Sequence, residues 1–167
     1  GSYPSFHLAD AEFFASLGRC SLFINASRGP VVDNAALFAY MCANPSMDVV
    51  LDVWEGEPCI DVSLLNKAFI STPHIAGYSA EGKMNATRMV LEAFVSFIGY
   101  DGVVPRLALP APENPVVSAN NEQDALLRIY SPVRDSRALK ENPSAFEDLR
   151  NNYKLRREPS AYSIDIV

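Results

Sequence analysis

CSLFINASRGPVVDNAALFAYMCA, residues 20–43, passes from a short apolar run through a turn carrying an arginine and a glycine into a helix-like segment. Cys20–Ile24 is nearly all apolar, the pattern of a strand covered on both faces. Asp33 is a good N-cap for NAALFAYMCA, and the Asn44-Pro45 pair ends it. The alternation continues on both sides. Upstream, Asp10 can cap a short amphipathic helix through Phe13, Phe14 and Leu17, with Gly18 as its stop. Downstream, Val49–Val53 is a second apolar run leading into WEGEP, and Asp61 can cap a brief helical turn through Leu64 and Leu65. Phe69–Ser71 is a third run, halted at Pro73. Beyond PHIAG, Ser79 and Glu81 open a long helix in which Met84, Thr87, Val90, Leu91, Phe94, Phe97 and Ile98 recur at helical spacing.

Strand, helix, strand, helix, strand implies parallel strands joined by right-handed crossovers, whose carboxyl-end loops share one edge where ligands bind. Those loops carry NASRGPVVD, DVWEGEP and TPHIAGYS, so Arg28, Glu57 and His74 converge on one crevice. A cation, a carboxylate and an imidazole together are the parts for proton transfer at an alcohol or carbonyl. The carboxylate orients the ring and the arginine forks onto a substrate carboxylate or polarises a carbonyl. Singly, each residue has a plainer use: Arg28 in a surface ion pair, Glu57 in a solvated turn, His74 satisfying a turn carbonyl. Gly29 and Gly77 serve either positive φ or close approach of backbone to a ligand. Asp52, at the end of an apolar strand, needs a hydrogen-bond donor from protein or ligand. Trp54 reads as packing, and His7, with no constellation around it, as structural.

The 167 residues, 49% hydrophobic and 20% charged, suit one globular unit or two small ones. A net charge of −6 disfavours nucleic acid and anionic membrane as partners. MVLEAFVSFIG, from Met89, is interrupted by Glu92 and too short to span a bilayer. Cys20, Cys42 and Cys59 are expected to be buried thiols rather than disulfides or zinc ligands, and no metal site is expected. With no secretory signal legible, the expected compartment is a reducing cytoplasm.

After Gly99 the composition changes. Pro105, Pro110, Pro112 and Pro115 mark an extended connection, and NEQDALLRIY reads as a helix capped near Asn121. A further helical stretch follows Pro143 and Ser144 through Phe146, Leu149 and Tyr153. AYSIDIV alternates like a strand, and Arg156 and Arg157 read as a solvated basic face.

In order and spacing, NASRGPVVD, DVWEGEP and TPHIAGYS resemble the D-isomer-specific 2-hydroxyacid dehydrogenases, which oxidise 2-hydroxy acids with NAD. The resemblance implies an α/β fold: the second half of a Rossmann-type doubly wound parallel sheet, followed by a small α+β C-terminal domain. It implies residues 1–77 as the nicotinamide-side half of the NAD-binding domain and 78–104 as a helix returning to a substrate domain. Residues 105–167 are then an incomplete dimerisation domain, and the protein a homodimer. It carries the catalytic roles onto Arg28, Glu57 and His74, with Arg28 also holding substrate. Cofactor contacts fall on Ala26, Ser27, Asp52 and Gly77, and a further substrate contact on Tyr78. LPAPE, VRDSR and FEDLRNNYKLRRE narrow the resemblance to family members that act on a phosphorylated 2-hydroxy acid in vitamin B6 synthesis. The sequence contains no GxGxxG turn to hold a pyrophosphate, so the chain reads as the C-terminal part of a larger enzyme, inactive by itself. Other readings are a phosphoglycerate, glycerate or lactate dehydrogenase of the same family, or a dimerisation or binding module without catalysis.

Overall fold

Three aspartates start three helices by local chemistry, each side chain accepting from a first-turn amide that the helix itself cannot satisfy. Asp10 accepts from Phe13 N at 2.9 Å at the start of α1 (Ala11–Ser16), and Asp33 from Ala36 N at 2.9 Å at the start of α2 (Asn34–Ala43). Asp61 accepts from Ser63 N and Leu64 N ahead of α3 (Val62–Lys67). These helices alternate with β1 (Leu22–Asn25), β2 (Asp48–Leu51) and β3 (Ile70–Ser71) in a computed structural model that describes residues 4–18, 20–102 and 108–167.

The strands form a parallel sheet in the order β1-β2-β3, with Leu22 opposite Asp48 and Val50 opposite Ile70. Val49 and Leu51 on the central strand are fully buried, as are Leu37 of α2 and Leu64 and Leu65 of α3. Phe14 of α1 packs edge-on against Phe23 at 5.3 Å and beside Tyr40 at 5.7 Å. On β1, only part of the expected cover is present: Leu22 and Ile24 are exposed.

The chain divides into two compact units, Gly1–Ala76 with Pro132–Tyr153, and Gly77–Ser131 with Lys154–Val167. The spatial grouping therefore takes residues 132–153 out of the distal segment 105–167 and joins them to the first sheet. Two helices do this, α6 (Pro132–Glu141) and α7 (Phe146–Asn151). Ser71 N on β3 donates to Ser136 Oγ at 3.0 Å, and Lys140 Nζ donates to Ala68 O at 2.5 Å. Leu139 and Phe146 complete the same apolar core. Burial lowers the Lys140 pKa, because a desolvated ammonium is disfavoured.

In the second unit α4 (Ala80–Phe97) starts at Ser79, whose Oγ accepts from Gly82 N and donates to Glu158 Oε1 at 2.7 Å. None of the residues of α4 is buried, and Val90, Phe94 and Phe97 along its apolar stripe are exposed. β4 (Val116–Ala119) directly follows Pro115, the last proline of the stretch read as a connection, and it pairs in parallel with β5 (Ser163–Ile166), the strand expected in AYSIDIV. Between them runs α5 (Glu122–Ile129), capped by Asn121. Arg156 and Arg157 are not a solvated face. Arg157 bonds Glu81 at 2.6 Å and the Pro110 carbonyl, and Arg156 lies 4.7 Å from the Tyr130 ring centre. Pro105 and the expected boundary between 104 and 105 lie outside the described residues.

The three cysteines are free thiols, but the expectation of burial fails: Cys42 and Cys59 are exposed and Cys20 half-buried. Cys42 lies in the last turn of α2 and Cys59 just after the turn that contains Glu57, both facing solvent. Among the described residues no group of histidine, cysteine and carboxylate side chains could hold a metal ion, and no helix is long and apolar enough to cross a membrane.

Candidate active site

Asn25, the last residue of β1, is buried and folds the loop that follows. Its Oδ1 accepts from Ser27 N at 3.1 Å and Ser27 Oγ at 2.7 Å, while its Nδ2 donates to Arg28 O at 3.2 Å. One amide thus closes the Ala26–Ser27–Arg28 turn at both ends and leaves all three residues exposed at the carboxyl edge of the sheet. Gly29 follows because nothing larger fits: a Cβ there would stand 1.9 Å from the Trp54 carbonyl oxygen. The loop after β1 and the loop after β2 touch at that point.

The second loop turns back on itself through Glu57, whose Oε1 accepts from Trp54 N at 2.8 Å. Trp54 is buried, its indole N–H donating to Thr72 O at 3.1 Å, so it packs as expected. The other oxygen, Glu57 Oε2, lies 2.8 Å from His74 Nδ1. A carboxylate can only accept, so in the neutral ring Nδ1 carries the proton and Nε2 has the lone pair. Among the described residues Nε2 has no protein partner, and the ring is half-buried.

His74 sits at φ 57°, in the left-handed region that side chains other than glycine seldom occupy. Asp52 holds it there. Its backbone oxygen accepts from His74 N at 2.7 Å. Its carboxylate accepts from Thr72 Oγ1 at 2.7 Å, Ile75 N at 2.8 Å and Ala76 N at 2.9 Å. The donors this buried carboxylate requires therefore come from the protein, and they shape the PHIAG loop.

Arg28, Glu57 and His74 thus lie in the loops after β1, β2 and β3, with Glu57 and His74 in direct contact. Arg28 is exposed and its guanidinium donates to Ser27 O at 2.7 Å. Gly77 and Tyr78 belong to the second unit, where Gly77 is exposed and Lys83 Nζ lies 4.2 Å from the centre of the Tyr78 ring. Sequence reasoning missed Asn25, although an asparagine closing an apolar strand is a signal for a side-chain-built turn. It also missed the surroundings of His7. Far from standing alone, His7 Nε2 lies 2.6 Å from Glu55 Oε1 and Nδ1 lies 3.5 Å from Asp33 Oδ2.

Residues 4–76 match the protein family described as the D-isomer specific 2-hydroxyacid dehydrogenase, NAD binding domain. The chain is 49% identical over 167 residues to the erythronate-4-phosphate dehydrogenase of Bacteroides fragilis, an alignment covering 100% of this chain and 48% of that protein. Over residues 4–76 the chain is similar to the D-isomer specific 2-hydroxyacid dehydrogenases. It spans about half the length of the curated relatives it matches.

Solved dehydrogenase and reductase structures share the fold. The D-mandelate dehydrogenase of Rhodotorula graminis, in its apo form, is 31% identical with a TM-score of 0.51, over 58% of this chain and 28% of that one. A glyoxylate reductase from Paecilomyes thermophila is 25% identical with a TM-score of 0.52, over 62% of this chain and 32% of that one. The α/β architecture with a parallel sheet is thus that of a dehydrogenase NAD-binding domain. Asp52 receives three protein donors on a carboxylate with about four lone-pair sites.

Proposed function

We propose that the protein carries out the NAD-dependent oxidation of 4-phospho-D-erythronate to its 2-oxo acid, a step in pyridoxal 5′-phosphate synthesis. In this reading it acts as a cytoplasmic homodimer. The observation that carries the chemistry is the 2.8 Å bond between Glu57 and His74 Nδ1, which leaves Nε2 as the basic atom of the crevice. The substrate class rests on the relatives called erythronate-4-phosphate dehydrogenase, at 49% and 44% identity in Bacteroides fragilis and Citrobacter koseri.

His74 Nε2 takes the proton of the substrate's 2-hydroxyl as its C2–O bond becomes a carbonyl, and returns a proton in the reverse direction. Glu57 holds the ring in the competent tautomer and offsets the charge of the imidazolium. Arg28 forks onto the substrate carboxylate and stabilises the oxygen at C2. Ala26, Ser27, Asp52 and Gly77 hold NAD, and Tyr78 contacts the substrate. NAD, when bound, supplies the acceptor for the hydride that leaves C2 with its bonding electron pair.

The test is NADH formation by the complete protein, with 4-phospho-D-erythronate, 3-phosphoglycerate, glycerate and lactate compared by kcat/KM. The proposal expects 4-phospho-D-erythronate to lead glycerate and lactate, which lack the phosphate, by about a hundredfold or more, and to lead 3-phosphoglycerate, one carbon shorter, by a smaller factor. A preference for 3-phosphoglycerate, glycerate or lactate overturns the substrate assignment.

A further inference from the structure

The loops carrying Arg28 and Glu57 leave different strands, so their mutual placement must be fixed by something other than the sheet ladder. One contact is the Gly29 backbone against the Trp54 carbonyl. The other is built by His7 and Glu55. His7 N donates to Pro30 O at 2.8 Å, two residues beyond Arg28. The ring of the same residue meets Glu55 Oε1 at 2.6 Å, two residues before Glu57. Glu55 Oε2 accepts from Asn34 N at 2.9 Å, the first amide of α2, where a carboxylate is also favoured by the helix dipole. Asp33 Oδ2 faces the other ring nitrogen, and Phe6 stacks on the imidazole with ring centres 4.0 Å apart. His7 itself is at φ 50°. A half-buried histidine in a left-handed conformation, bonded to two separate loops, is over-determined for a surface turn.

We propose that His7 is a positioning residue for the His74 site: bonded through its backbone to Pro30 and through its ring to Glu55, it sets the loop carrying Glu57 against the loop carrying Arg28. The inference rests on the acid/base reading of Arg28, Glu57 and His74. It adds a residue that touches neither substrate nor cofactor and acts through Glu55.

Two substitutions separate the ring contact from the backbone conformation. Asparagine tolerates positive φ, so His7→Asn keeps the turn and the Pro30 bond, but its side chain falls short of Glu55. In His7→Gln the terminal amide nitrogen reaches about as far as Nε2 and restores a donor. The complete protein is assayed for kcat and for KM toward NAD. Exchange of the Trp54 amide, which donates to Glu57 Oε1, is followed by NMR as a reading of the loop that needs no turnover.

The expected result for His7→Asn is a kcat lower by about tenfold with KM for NAD unchanged, since small misplacement of catalytic groups is costly. Trp54 amide exchange accelerates by a similar factor, and His7→Gln recovers most of both. Unchanged kcat and unchanged Trp54 exchange in His7→Asn overturn the proposal, as does equal loss in both variants, which marks a merely structural role. His74→Asn is measured beside them. If it keeps full turnover, the acid/base reading fails, and the Trp54 exchange still decides whether His7 holds the loop.

Discussion

Glu57 and His74 stand 17 residues apart in the chain and meet at 2.8 Å, because the loops after two adjacent parallel strands open on the same edge of the sheet. Glu57 is itself held by Trp54 N, so the carboxylate cannot swing away from the ring without losing a backbone partner. Glu57→Gln removes the charge and turns one acceptor into a donor facing a donor. We expect kcat to fall by about ten- to a hundredfold with little change in KM for NAD. Steady-state kinetics on the complete protein measures both.

Asp52→Ala strips the partners from Thr72 Oγ1, Ile75 N and Ala76 N at a buried site. The expected loss is about 3 kcal/mol or more of unfolding free energy, read by urea denaturation. Asp52→Asn, which keeps one acceptor oxygen, is expected to lose less. Equal stability of Asp52→Ala and the parent protein would show that the PHIAG loop is held by something else.

Two glycines give opposite expectations. Gly29→Ala drives a methyl group into the Trp54 carbonyl and should cost about 3 kcal/mol of stability. Gly77→Ala meets nothing within 4 Å, so stability should stay within about 0.5 kcal/mol. If Gly77 lies against NAD, its substitution raises KM for the cofactor while leaving the thermal midpoint alone.

The His7–Glu55 pair makes stability depend on pH. The hydrogen bond that the His7 ring donates to Glu55 leads the causes that raise the His7 pKa above its ordinary 6.5, with smaller contributions from the charges of Glu55, Asp33 and Asp10; desolvation opposes them. The folded protein therefore binds a proton that the unfolded chain releases. The stabilisation is complete below pH 6.5 and fades as pH rises through the raised value. Comparing unfolding midpoints of the parent protein and His7→Asn across neutral pH should show a gap that narrows toward alkaline pH. In the second unit the sign reverses for Asp124, lowered from 3.8 to about 2 chiefly by Arg128: its contribution is present above pH 3.8 and lost as pH falls through about 2.

What was legible in the sequence was what is decided locally or by strand order. Asp10, Asp33, Asp61, Ser79 and Asn121 cap the helices they precede because the bond reaches only two or three residues. The meeting of Glu57 and His74 follows from parallel strands, so two scattered residues could be placed on one edge. What stayed hidden depends on distant partners. α6 begins at a proline and carries few apolar residues; its place is set by Ser136 on the edge of β3, 65 residues away. His7 looked alone because Glu55 lies 48 residues further on. β4 sits behind prolines, and only pairing with β5 makes it a strand.

The most direct measurement is the kcat of His74→Asn in the complete protein with 4-phospho-D-erythronate and NAD. Asparagine accepts the left-handed backbone at φ 57° and can donate to Glu57, so the loop is kept while the proton-accepting nitrogen is removed. The account predicts a fall of about a hundredfold or more, with KM for NAD unchanged. Turnover within a few-fold of the parent protein would contradict it.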